Sequence, residues 1–478
     1  MRTSSTSSQR HRPSHLAPKK KPRWAGLRLA VGAVVLVALL AAADYVLALC
    51  LQPYGTITEV TWWTYRQAGD DLDTVFVGNS RMDASIDPAA FDKTIGSKSV
   101  SLSTVFQALE DSGSAAATAA SEHKLKRIVL GISPSSLCEG RHIQSSSTFT
   151  QAKAAGEPLP QAIADYAALL TSKQFFFVDK SVSALFPWTY SHVPYQRSAI
   201  ITNLRNRRYY SSPIDGNWNS VVKDFWKVNA LGDRYVDAVA DFTTVSNSLR
   251  DTRDEDHSFL EDRKQAFVDC LDACDDYDDV QLYVVALPLP FFELINHSRS
   301  YPEQMQWIKE QTEAHGGVYI DFNLAHGDYY PPVEGEYADQ DHLNPAGSKR
   351  FSETLAKTIA RIESGEDVQG DFYSYEEWDD LLASYDWIYL VGFDVTGKDD
   401  GLLATIWSFE GSQVDVEYEV SVLDPKTGEY EVVSSYGPTK ERWWPMEGDG
   451  VCTIRVRARR VGSHGAAEQE STRQDVPY

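Results

Sequence analysis

Hydrophobic and polar positions divide the chain into four stretches. From Leu29 to Ala43 no residue is charged and almost all are apolar; Asp44 interrupts, and Tyr45–Leu51 resumes the run. An apolar run of this length, just over twenty residues, spans a bilayer as a helix. From about residue 70 short aliphatic runs alternate with helical patterns. The runs predict strands at Leu72–Val77, Ser99–Leu102, Arg127–Ile132, Val280–Leu287 and Gly317–Phe322. Helices are expected after Asp87-Pro88, over Ala108–His123 and Tyr301–His315, and from Asn344-Pro345 to Ile362. Asp-Pro and Asn-Pro read as an N-cap followed by the first helical position. Strands alternating with helices of crossover length make a parallel, helix-covered sheet, so the fold class is α/β.

A long polar and aromatic insertion, about 138–275, interrupts that alternation. Helices are expected in it at Leu159–Thr171, Gln196–Arg205, Gly216–Asn229 and Glu261–Asp272. Arg197, Arg205, Arg207, Arg208, Tyr195, Tyr209 and Tyr210 cluster at its middle. Two readings stand: a helical cap with solvated charges, or a lid whose arginines meet an anionic glycopolymer or a lipid headgroup. After an acidic linker at 363–371, the period changes to two. Thr453–Ala458 alternates cleanly, and Asp424–Gly428 and Glu447–Gly450 are turn signals. Residues 372–463 therefore read as a small β-sandwich, with Trp387, Tyr389, Trp407, Trp443 and Trp444 as core aromatics in preference to a glycan platform. The tail, 464–478, reads as loose.

Charge sharpens the picture of the N-terminus. Residues 1–28 carry eight Lys or Arg and no acid; the net charge is −23, so the remainder, less those eight positives, carries −31. The basic flank holds the N-terminus in the cytoplasm and places the body after residue 52 outside, with residues 29–51 as anchor. Ala41-Ala42-Ala43 also fits a signal-peptidase site, which would release the same extracytoplasmic body. The segment 52–71, with Trp62, Trp63 and Tyr65, reads as a juxtamembrane connection. So acidic a body argues against nucleic acid as a partner, and against docking on an anionic membrane surface apart from the basic tail itself. The five cysteines are too scattered for a disulfide framework, although Cys270 and Cys274 would meet on one helix face, and no zinc spacing occurs. No cofactor is called for.

The candidate chemistry begins at Thr74-Val75-Phe76-Val77-Gly78-Asn79-Ser80, where a buried strand delivers a serine to the carboxyl end of the sheet. A serine hydroxyl needs a histidine to take its proton and a carboxylate to fix the histidine's tautomer. Two Asp-x-x-His sites occur. Asp254–His257 sits in an acidic run, Asp251–Asp262, that reads as a solvated helix face. Asp339–His342 follows the last strand and precedes the capped final helix, at the same sheet edge as Ser80. Ser80, His342 and Asp339 are therefore the candidate triad, with Asp341 as the competing carboxylate. The oxyanion donors expected are the Ser80 N–H and the loop at Ser103 and Thr104. Arg81 either faces an anionic substrate or pairs with Asp83.

Gly78-Asn79-Ser80 together with Asp339-x-x-His342-Leu343 resembles the SGNH (GDSL-like) hydrolase superfamily over about residues 70–362. The resemblance implies a flavodoxin-like three-layer α/β/α fold. One departure is Gly131-Ile-Ser-Pro134, where hydrolytic members carry Gly-x-Asn-Asp and use the asparagine as an oxyanion donor. That departure, with the N-terminal anchor, resembles the teichoic-acid D-alanine transfer proteins and the membrane-anchored partners of polysaccharide O-acetylation. It implies an outward-facing Ser80–His342–Asp339 site that moves acyl groups to or from a cell-envelope glycopolymer, beside a membrane-bound O-acyltransferase. Trp443-Trp444-Pro445 and Thr453–Arg459 resemble immunoglobulin-like modules. The alternative function is a non-catalytic envelope scaffold or glycan-binding protein that keeps a degenerate SGNH domain.

Overall fold

The computed structural model describes residues 24–55, 57–139, 187–189, 192–209, 227–228, 234–235, 257–275, 277, 279–331, 333–340, 342–398, 400–448 and 450–478. The helix expected at Leu159–Thr171, Tyr210, Asp254 and Asp341 lie outside the described residues, as does most of Gly216–Asn229.

Helix α1 (Trp24–Leu51) is long and apolar enough to cross a bilayer, and most of its side chains are exposed. Helix α2 (Ile57–Gln67) follows where a mere connection was expected; it buries Val60, Trp62 and Tyr65 against the body. Five parallel strands then form one sheet: β1 (Thr74–Val77), β2 (Ser99–Ser101), β3 (Arg127–Ile132), β4 (Gln281–Ala286) and β5 (Val318–Asp321). Their order is β2-β1-β3-β4-β5. Every position of β1 and β3 is buried, so both faces of the sheet are covered.

The covering helices fall into two groups. Helices α3 (Ser80–Ser85) and α4 (Pro88–Ile95) lie against α11 (Pro345–Glu363). Helix α5 (Leu109–Glu122) lies against α8 (Glu261–Asp275). Gly113 on α5 lets them approach: a Cβ there would stand 3.2 Å from the Cys270 backbone. Cys270 and Cys274 are buried free thiols on α8; their mutual hydrogen bond and burial hold the Cys270 thiol well above its ordinary range. In chain order α6 (Ser135–Cys138) and α7 (Arg197–Tyr209) come between α5 and α8, with α9 (Phe291–Asn296) and α10 (Tyr301–Ala314) after β4. Two expectations fail here. Residues 257–260 of the acidic run are not helical, α8 beginning at Glu261 where that helix was expected, and Lys227–Val228 pairs with Arg234–Tyr235 as a short ribbon rather than ending a helix.

The region after residue 363 binds to the sheet more closely than a linker would. Helix α12 (Trp378–Ser384) and residues Tyr385, Tyr389 and Leu390 join the core of the parallel sheet, so that core reaches past the border expected at 372. Asp321, at the carboxyl end of β5, is the polar staple. It accepts the hydroxyls of Tyr375 (2.7 Å), Tyr301 (2.9 Å) and Tyr319 (3.3 Å) and the Asn323 N–H (2.9 Å). Burial pushes its carboxyl above the ordinary range, and the donors oppose that push.

Beyond it, seven antiparallel strands form two sheets around a second core. One holds β6 (Ile388–Lys398), β7 (Gly401–Glu410) and β10 (Glu441–Pro445); the other holds β8 (Val416–Leu423), β9 (Tyr430–Gly437), β11 (Val451–Arg460) and β12 (Gln469–Pro477). Two corrections follow. The tail is not loose: β12 pairs with β11 from Val451/Pro477 to Ala458/Gln469. Only Ser471 and Val476 of β12 are buried, so a strand held by backbone pairing at an edge leaves little hydrophobic signal. Trp443 is not core either; it is 49% exposed, while its neighbour Trp444 is 2% exposed, as alternation on a strand requires.

Candidate active site

The sequence of β1 explains how Ser80 is presented. Gly78 adopts φ +152°, and a Cβ there would stand 2.7 Å from the Met82 Cβ. Gly131, next door on β3, would clash with the same side chain, its Cβ 2.8 Å from that of Met82. Two glycines thus make the slot into which Met82 plugs, fully buried, fixing the first turn of α3 on the sheet. Asn79 caps that turn, its Oδ1 accepting the Arg81 N–H at 3.0 Å. Ser80 is therefore the first residue of a pinned helix, where β1 meets the switch in strand order between β2 and β3.

The partner loop is built with equal economy. Asn344 caps α11 through the Ala346 and Gly347 N–H groups, each at 3.1 Å, and its own N–H donates to the Glu336 carbonyl. Tyr337 and Leu343 pair across the loop, and Arg350 clamps Glu336 through its Nε at 2.7 and 2.8 Å. Because α11 packs on α3 and α4, with Ser352 Oγ accepting the Asp87 N–H at 2.7 Å, the loop is carried to Ser80.

Three predicted residues meet there. Ser80 Oγ lies 3.0 Å from His342 Nε2. His342 Nδ1 lies 2.9 and 3.0 Å from the two Asp339 oxygens, and Asp339 also accepts the His342 backbone N–H at 2.9 Å. An ionised carboxylate only accepts, so Nδ1 carries the proton and Nε2 is left to accept from the serine hydroxyl. The side chains of His342 and Asp339 are 13% and 28% exposed, so the line opens toward solvent at its edge.

The other predicted residues fare differently. Ser103 and Thr104 are buried, and their amides are spent within the fold: the Ser103 N–H donates to Ser101 Oγ at 3.3 Å, the Thr104 N–H to the Gly78 carbonyl at 3.3 Å. Through these amides the two residues hold the loop after β2 against Gly78. The Ser80 N–H, at the head of α3, has no intrahelical acceptor. After β3, Ser133 is buried and its Oγ lies 3.0 Å from Ser135 Oγ, so this loop closes on its own hydroxyls.

Arg81 extends toward α9, its Nη2 3.9 Å from Glu293 Oε2. His297 Nε2 lies 3.9 Å from the same oxygen, and the His297 ring centre is 4.3 Å from that of His257. Burial, with the nearby His257 and Arg81, lowers the His297 pKa to about 4, so the ring is neutral at pH 7. The sequence did not single out Glu293 or His297; their i, i+4 spacing was the one available sign. His257, set aside as a helix-face residue, packs beside them. Among the described residues, no group of three or more His, Cys, Asp or Glu side chains is arranged to hold a metal ion.

Compared with known proteins, the chain matches no family model and no curated sequence.

Proposed function

We propose that the protein is a serine esterase or acyltransferase of the SGNH type, tethered to a membrane by α1 and acting on ester-linked acyl groups of a cell-envelope glycopolymer. The observation that carries this reading is the hydrogen-bonded line from Ser80 Oγ through His342 to Asp339. The strand order, 2-1-3-4-5, also fits the flavodoxin-like sheet that such a domain requires. On this reading the N-terminus lies in the cytoplasm and the body outside, the two antiparallel sheets form an immunoglobulin-like module, and a membrane-bound O-acyltransferase is the partner.

The chemistry runs in two halves. Ser80 Oγ forms a bond to the ester carbonyl carbon as its proton passes to His342 Nε2, and the Ser80 N–H receives the oxyanion. The tetrahedral adduct collapses, the alcohol leaves with the proton from His342, and the acyl group stays on Ser80. Water or a sugar hydroxyl then gives its proton to His342, attacks the acyl carbon and frees the serine. Asp339 orients the imidazole and steadies the imidazolium.

The test is turnover of an aryl acetate and of an O-acetylated or D-alanylated envelope polymer by the full chain in detergent. Ser80→Ala should remain folded and lose at least about a thousandfold in rate. Unchanged turnover would remove Ser80 from the reaction. A second reading, the non-catalytic scaffold, draws on the spent amides of Ser103 and Thr104. It requires that the wild-type protein bind the polymer and turn over neither substrate.

A further inference from the structure

The outer end of α1 is held by the insertion. The last carbonyls of a helix lack partners within it. Here Asn203 of α7 donates through Nδ2 to the carbonyls of Cys50 at 3.1 Å and Gln52 at 2.9 Å, and its Oδ1 accepts the Tyr54 N–H at 2.8 Å. Arg207 donates to the Gln52 carbonyl at 2.6 Å, placing a cation at the negative end of the helix dipole. The Val193 N–H donates to the Leu51 carbonyl, and Trp188 Nε1 donates to Asp44 at 2.7 Å. The one acid in the apolar run is thereby given a partner.

This attachment uses the polar side of α7. Asn203 and Asn206 are buried, while Arg197, Ile201, Arg205, Arg208 and Tyr209 are exposed along the other side, at the spacing of a single helical stripe. Ile201 is 52% exposed, Tyr209 68%, and Tyr195, just before the helix, 64%. The helix carries four arginines and no acid, in a chain whose body is strongly acidic. Its position along α1 matters equally. From Leu29 to Leu51 the apolar helix measures about 35 Å, against a hydrocarbon core of about 30 Å. Residues Cys50 to Tyr54, to which α7 is pinned, therefore stand at the depth of the headgroups.

We propose that the outer stripe of α7 rests on an anionic bilayer surface. Arg197, Arg205 and Arg208 meet lipid phosphates, and Ile201, Tyr195 and Tyr209 enter the boundary with the acyl chains. Basic and apolar residues on one exposed helix face are the signature of an interfacial helix, and aromatic residues favour that layer. The inference rests on the reading of α1 as a membrane span. It adds a second membrane contact, which fixes the tilt of the body over the membrane.

The test uses the full chain in phosphatidylcholine vesicles with and without phosphatidylglycerol. Cys50, Cys138 and Cys452 are replaced by serine, and a nitroxide is placed singly at Ile201→Cys, Val37→Cys or Val432→Cys. Collision with a water-soluble nickel complex and with oxygen reports depth. The expected result is a probe at 201 that is several-fold less accessible to nickel than the probe at 432, more so with phosphatidylglycerol. Reversing Arg197, Arg205 and Arg208 to glutamate should abolish that shielding and leave the probe at 37 buried in lipid. A probe at 201 as accessible as that at 432, with 37 still deep, overturns the interfacial helix and leaves the span intact. A nickel-accessible probe at 37 overturns the span, and the proposal with it.

Discussion

Two carboxylates sit at the same edge of the parallel sheet and do opposite things. Asp321 ends β5, is 5% exposed, and is saturated by three tyrosine hydroxyls and a backbone N–H. Asp339 lies in the loop before α11, is partly exposed, and accepts from a histidine whose far nitrogen reaches a serine. Around Asp321 the donors come from three places along the chain, Tyr301, Tyr319 and Tyr375, so the network ties elements together. Asp339 holds His342 three residues on, and from there the line runs to Ser80. A buried polar network with every partner satisfied specifies structure. A line that runs from carboxylate through imidazole to a hydroxyl has the geometry that proton transfer requires.

The comparison breaks most visibly at His342. His342→Ala should reduce ester turnover by about a thousandfold or more and leave the thermal midpoint within a few degrees; Asp339→Asn should cost somewhat less, by leaving the ring in the wrong tautomer. The mirror experiment is Asp321→Ala. It removes the shared acceptor of three buried tyrosine hydroxyls and of the Asn323 N–H, and should lower stability by about 3 kcal/mol in a denaturant titration, while the folded fraction keeps its turnover. If Asp321→Ala removed activity without loss of stability, the division of labour would be wrong.

A smaller effect sharpens the boundary between them. His297, beside Arg81 and Glu293, has a folded pKa of about 4, below the ordinary value of 6.5. The unfolded chain therefore takes up this proton first. Stability should be constant with respect to this group above pH 6.5 and fall by up to about 3 kcal/mol as pH drops toward 4. His297→Gln should flatten that slope in denaturant titrations across the window. An unchanged slope would mean that other groups cause it.

Much of this was legible in the chain because local signals agreed. The strands were aliphatic runs bounded by turn residues, and Asp87-Pro88 and Asn344-Pro345 cap α4 and α11 as their residue types demand. The pairing of Ser80 with His342 came from the rule that parallel strands share one carboxyl edge, and that rule chose between two Asp-x-x-His motifs that looked alike. Where residues meet only through the fold, the sequence was silent. Glu293 and His297 sit one turn apart on α9, but Arg81 and His257 reach them from separate segments, and only the i, i+4 spacing marks the pair locally. The engagement of the Ser103 and Thr104 amides was hidden for a backbone reason: the path at Gly78 decides which amides remain available. The edge strand β12 was missed because its polar residues bury little, and α7 showed its arginines but not the Gln52 carbonyl, just past α1, that one of them meets.

The most direct test of the central claim is covalent. The full chain, in detergent, is treated with a fluorophosphonate, digested, and the adduct mapped by mass spectrometry. The account predicts a single adduct on Ser80, absent in Ser80→Ala and slowed by at least about a hundredfold in His342→Ala. A wild-type protein that stays unlabelled at Ser80, or that labels equally well without His342, would contradict it.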